Sequence, residues 1–134
     1  MSPKKIIDKF LQVGLDLIAI CDHNTVENAG VVMREGQKRG LRVLPGMEVC
    51  SKEEVHILAL FEELNPALKM QSYVYENLPG ENKPEVFGCQ VVAKENDEVL
   101  DNIGVVSTVF YMAEPTLAEV RKSLLQQDGR RILI

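Results

Sequence analysis

The chain holds two histidines, His23 and His56, and both fall beside apolar runs that read as strands. Asp22-His23-Asn24 follows directly on the run Leu15–Cys21, Gly46-Met47-Glu48 follows Leu41–Leu44, and His56 lies within the run from Glu54 to Phe61. In a parallel α/β sheet, ligand-binding groups gather at the carboxyl ends of strands, where side chains converge on one crevice. Three such positions would offer an imidazole, a carboxylate and a second imidazole to a shared space. That set suits a divalent transition metal, because imidazole nitrogen and carboxylate oxygen bind Zn, Mn or Fe and leave positions open for water. Water on such an ion loses a proton near neutral pH and becomes a nucleophile. Asp22 is a candidate acceptor behind the ligands, orienting His23 or its neighbours.

Each residue also has a plainer use. A single histidine in a strand is commonly a half-buried residue with a satisfied ring. Asp-His-Asn after a strand is a polar turn and helix cap, and Glu48 after Pro45-Gly46 is an ordinary loop acid. Cys21 and Cys50 read as small buried hydrophobes rather than ligands. Residue type alone leaves metal binding and these uses both open.

The elements that must position these groups follow from spacing. Ser2-Pro3 opens a helix, with Pro at the first helical position, and Gly14 closes it. Ile6, Ile7, Phe10 and Leu11 share its apolar face. Leu15–Cys21 is apolar at nearly every position, the mark of a strand buried on both faces in a parallel sheet. Asn24-Thr25 is read as the cap of a second helix running to about Arg39, with Gly40 as its stop. A strand from Leu41 to Leu44 ends at Pro45-Gly46, and a third spans Glu54 to Phe61. Pro66 to Leu78 has a helical pattern, with Leu68, Tyr75 and Leu78 among its apolar positions. Val86–Ala93 and Val99–Val106 could pair as a hairpin. Thr116-Leu117-Ala118-Glu119 is a capping box for a last helix, stopped by Gly129, and Arg131–Ile134 begins another strand. The order predicts an α/β architecture.

Composition narrows the classes of function. A net charge of −5 argues against electrostatic capture of nucleic acid. No apolar run approaches the length of a membrane span. Three cysteines without Cys-x-x-Cys spacing suggest neither a disulfide framework nor a zinc knuckle, and fit a reduced cytoplasmic setting.

Three segments, taken in order, resemble one family. Gly14–Thr25, with Asp22-His23-Asn24-Thr25, is similar to the strand-plus-T-D-H-N segment of the polymerase and histidinol phosphatase (PHP) domain family. Leu44-Pro45-Gly46-Met47-Glu48-Val49 and Val55-His56-Ile57-Leu58-Ala59 resemble its next two motifs, and Cys21 departs from the usual Thr. The match covers Ser2 to Phe61, a little under half the chain. The resemblance implies a partial (β/α)7-type barrel with an inserted helix and β-hairpin. It further implies a cluster of divalent ions (Zn, Mn, Fe or Mg) and phosphate ester hydrolysis by metal-activated water. Carried over by residue, His23, Glu48 and His56 match metal ligands and Asp22 the adjacent motif acid. Alternation should turn Cys21 away from Asp22, with little effect on metal.

The family opens with a His-x-His strand and adds later ligands, including an Asp-x-His. None of these is found here. The expectation is a single incomplete domain over 1–134: a family-like part at 1–61, an insertion at 62–112, and a helix with the start of a strand at 113–134. A phosphoesterase fragment or short relative, not catalytic alone, is expected to act on phosphate esters only when completed. The alternative is a non-catalytic binding or assembly module. Unpaired strand edges would invite homo-oligomerisation.

Overall fold

The alternation of helix and strand is realised in the computed structural model, which describes residues 2–78, 91–94, 99–102 and 116–128. In chain order the elements are α1 (Pro3–Gln12), β1 (Leu17–His23), α2 (Ala29–Lys38), β2 (Arg42–Cys50), β3 (His56–Leu60), α3 (Leu64–Glu76), β4 (Val91–Ala93), β5 (Val99–Asn102) and α4 (Leu117–Asp128). This is a mixed α/β fold built on a three-stranded sheet of order β1-β2-β3, with β4 and β5 paired separately.

The two opening helices stop in the same way. Gly14 and Gly40 take φ of +75° and +78°, a conformation glycine adopts without steric cost. The turn they make lets the Leu15 N–H reach the Phe10 carbonyl (3.1 Å) and the Leu41 N–H reach the Gly36 carbonyl (2.9 Å). Each helix thereby hands the chain straight to the next strand.

β1 and β2 are parallel, in register from Leu17↔Arg42 to His23↔Glu48. β3 runs antiparallel to β2, from Gly46↔Leu60 to Cys50↔His56, which corrects the all-parallel expectation. Residues 51–55 are too few for a parallel crossover, which takes a dozen residues or more. They form a tight connection instead, with Ser51 N–H on the Val55 carbonyl (2.9 Å) and Glu54 at φ +60°.

β2 also runs through Pro45-Gly46 rather than ending there. Pro45 lies one residue outside the ladder to β3, and on that side only its carbonyl is used, accepting from the Phe61 N–H (2.9 Å). With no N–H to give back to Phe61, Pro45 ends the ladder rather than interrupting it. Gly46 is needed for space: a Cβ there would sit 2.6 Å from Cys21 Sγ and 3.0 Å from the Ala59 carbonyl oxygen.

The helices cover one face of the sheet among the described residues. Ile7, Val32 and Leu41 pack on Ile18 and Val43, while Ala67, Met70, Val74 and Val120 pack with Met47, Val49, Ile57 and Ala59. β1 is consequently not buried on both faces: Leu17 and Ala19 are exposed while Ile18 is buried. Helix α3 presents Ala67, Met70, Gln71 and Val74 to the core, and the expected contributor Leu68 faces outward.

At α4 the capping box forms as read, with Glu119 Oε2 accepting the Thr116 N–H (2.9 Å) and Thr116 Oγ1 accepting the Glu119 N–H (3.3 Å). The expected hairpin is seen where β4 pairs with β5. The rest of its strands, the stop at Gly129 and the strand at Arg131–Ile134 lie outside the described residues.

Candidate metal centre

His23 is the last residue of β1 and stands directly opposite Glu48 in the parallel ladder. His56 is the first residue of β3, and because β3 is antiparallel its amino end lies beside the carboxyl ends of the other two strands. Cys50 pairs with His56, so Glu48, two residues earlier on β2, is the diagonal neighbour of His56 on the same face. The three sequence-predicted ligands thus meet at one end of the sheet, on the face that no helix covers among the described residues.

The Glu48 carboxylate lies between the two rings. Oε1 is 2.6 Å from His56 Nδ1, and Oε2 is 3.5 Å from His23 Nε2. The rings are edge to face, with centroids 5.8 Å apart and planes at 86°. One donor atom from each of the three residues lies within 4.8 Å of the others. Donors around a tetrahedral zinc stand about 3–3.5 Å apart. The His23–Glu48 spacing already meets that, whereas the His56–Glu48 contact is a hydrogen bond that must open to admit an ion. Side-chain exposures of 39%, 24% and 32% for His23, Glu48 and His56 leave the set reachable from solvent. Two imidazoles and a carboxylate are donors a divalent transition ion accepts, with coordination positions to spare.

Asp22 is not part of this cluster. Strand alternation sends it to the opposite face from His23, where its Oδ2 accepts from Asn28 Nδ2 (3.0 Å). The same Asn28 amide donates to the Val91 carbonyl (2.9 Å) and accepts the Ala93 N–H (3.0 Å), tying β4 to the end of β1. Cys21 does turn away from Asp22, which places it on the His23 side, one strand step below the cluster. Burial pushes its thiol up to about 11, with the charges of Asp22 and Glu48 adding to the shift. It is a neutral thiol at neutral pH and lies outside the donor set of His23, Glu48 and His56.

Residues 24–28, expected to begin the second helix, form the turn that holds His23 in place. Asn24 adopts φ +56°, its N–H donates to the Glu48 carbonyl (2.8 Å), and its Oδ1 accepts the Cys50 N–H (3.2 Å). Gln71 on α3 then gathers the next residues. Its Oε1 accepts the Val26 N–H (2.7 Å) and the Thr25 hydroxyl (3.1 Å), and its Nε2 donates to Glu27 (2.8 Å). The Tyr75 hydroxyl lies 2.8 Å from Thr25 Oγ1, and burial holds its pKa above the usual value, so it stays protonated. Backbone groups held this way are unavailable to a helix, which is why α2 starts only at Ala29. Sequence reading missed Asn24 and Gln71 as structural partners. An Asn at a strand end carries some signal through its tolerance of positive φ; a mid-helix Gln carries none.

The chain matches no protein-family model, and no curated protein matches it. Among solved structures, it is similar to a protein of Bifidobacterium adolescentis named as a candidate metal-dependent phosphoesterase, with a TM-score of 0.45 and 23% identity. The match covers 57% of this chain and 28% of that one, so this chain spans well under a third of its length. An overlap of that extent fixes neither fold nor activity.

Proposed function

We propose that this chain carries part of a metal centre of PHP type, and that its reaction class is phosphate ester hydrolysis. The observation that carries the reading is the convergence of His23, Glu48 and His56, drawn from three separate strands, to within 4.8 Å. The ordered motifs around those residues resemble the PHP family, in which the same positions bind metal inside a barrel. His23 and His56 would hold a divalent ion (Zn, Mn, Fe or Mg) through ring nitrogens and Glu48 through its carboxylate. A bound ion would acidify a water molecule and stabilise charge on phosphoryl oxygens.

The chain's own part in this is positional. The parallel register sets His23 against Glu48, and the antiparallel return of β3 brings His56 to the same end. The partial exposure of all three leaves room for a phosphate ester to approach. Two imidazoles and one carboxylate make a smaller set than the family's ion cluster, so turnover belongs to a centre completed by further ligands.

Metal analysis after reconstitution with zinc or manganese tests this. About one ion per chain is expected, lost in His23→Ala and in His56→Ala. A purified wild-type chain that retains no ion above buffer background overturns the proposal. Hydrolysis of bis(4-nitrophenyl) phosphate, absent or feeble in the chain alone, should appear when the missing ligands are supplied. A second reading, a non-catalytic assembly module, is favoured by the sheet face left uncovered among the described residues, where Leu17 is 51% exposed. Under it, His23→Ala and His56→Ala leave self-association unchanged.

A further inference from the structure

In a regular parallel ladder, the pair His23↔Glu48 with the Asn24 N–H on the Glu48 carbonyl calls for one next bond. It would run from the Cys50 N–H to the backbone carbonyl of Asn24. That bond is not made by the backbone. Asn24 turns to φ +56° and the chain leaves the sheet, while the Asn24 side-chain carbonyl takes the place of the backbone one and accepts the Cys50 N–H at 3.2 Å. Asn24 is 1% exposed and Cys50 likewise 1%, so the joint is closed off from bulk solvent.

The joint occupies a particular place. Asn24 is bonded to His23 by the chain, to Glu48 through the backbone, and to Cys50 through its side chain. Cys50 in turn is the register partner of His56. One residue therefore ties together the carriers of all three candidate ligands. Only a residue that tolerates positive φ and also bears a short side-chain acceptor can do this, which restricts the position to Asn or Asp.

We infer that Asn24 is a positioning residue of the metal centre: its amide carbonyl completes the β1–β2 ladder and so fixes the separation of His23, Glu48 and His56. The inference rests on the metal-binding reading above, and its consequence is separable from it. Asn24→Gly keeps the backbone conformation and removes the side-chain acceptor along with the rest of the amide. Asn24→Asp keeps both.

The test is titration of the full chain with cobalt(II), whose visible absorption reports coordination number and geometry. Wild type should bind and show a defined spectrum. Asn24→Gly should bind on the order of 10–100-fold more weakly, as loss of a group supporting metal ligands typically does, with altered band positions and intensities. Asn24→Asp should restore both affinity and spectrum. Unchanged affinity and spectrum in Asn24→Gly overturn the positioning role while leaving the metal centre standing. Equal weakening in Asn24→Asp overturns it too, and this arm alone decides if the glycine variant does not fold. A wild-type chain that takes up no cobalt overturns the metal reading and this inference together.

Discussion

The two faces of the three-stranded sheet are made from the same strands and differ in what they bury. On the helix side Met47, Val49, Ile57 and Ala59 join Ala67, Met70 and Val74 in one apolar cluster. On the other side His23, Glu48 and His56 stand at one end, with Cys21, Leu17 and Leu58 on the same face. Because side chains alternate along a strand, adjacent residues have unlike surroundings: Ile57 is 2% exposed and Leu58, its chain neighbour, 47%. Cohesion is concentrated on the helix side. The open side is thereby free to carry charged and imidazole groups, which a closed core would accept only with full hydrogen bonding.

The contrast can be broken most directly at β3. Ile57→Ala removes a side chain packed on α3 and should cost about 2–5 kcal/mol in urea unfolding; a loss below about 1 kcal/mol would mean that the helix side is not the core. A chemical probe comes next. With its thiol pushed up to about 11 from an ordinary 9.0, Cys21 carries roughly a hundredfold less thiolate than a free cysteine at any pH well below both values. Its alkylation by iodoacetamide at pH 8 should be slower by about that factor, accelerating until the pH passes about 11. Labelling at the free-cysteine rate would show the face to be wetter than the structure has it. The smallest effect is the sharpest contrast: Leu58→Ala should change stability by no more than about 0.5 kcal/mol. A cost resembling that of Ile57→Ala would mean that something covers the open face.

Local signals were enough for much of this. Gly14 and Gly40 announced the helix ends, Ser2-Pro3 a start, and Thr116 with Glu119 a capping box that forms as written. The three metal-ligand candidates could be chosen from strand ends and motif resemblance, and they do meet. Two of the failures share a cause, namely partners distant in sequence. Asn24-Thr25 looks like a helix cap because Asn and Thr favour caps and turns alike. What decides between them is a β2 amide and a glutamine on α3, separated from Thr25 by 46 residues in the latter case. Pro45-Gly46 looked like a strand end because the gap in the β3 ladder that accommodates Pro45 depends on where β3 stops pairing. The antiparallel return of β3 was within reach, since residues 51–55 leave no room for a crossover. Strand direction was taken from fold class rather than from that length.

The central position of β2 has a mechanical consequence. Among the described residues Glu48 is held by ladders on both sides, whereas His23 and His56 sit on edge strands, each paired on one side only. Edge strands fray and central strands do not. The carboxylate and, through the Asn24 joint, His23 are therefore the fixed part of the cluster, and the His56 imidazole is its moving jaw. Adjustment to ions of different radius falls to β3, with β2 as the spine about which it flexes.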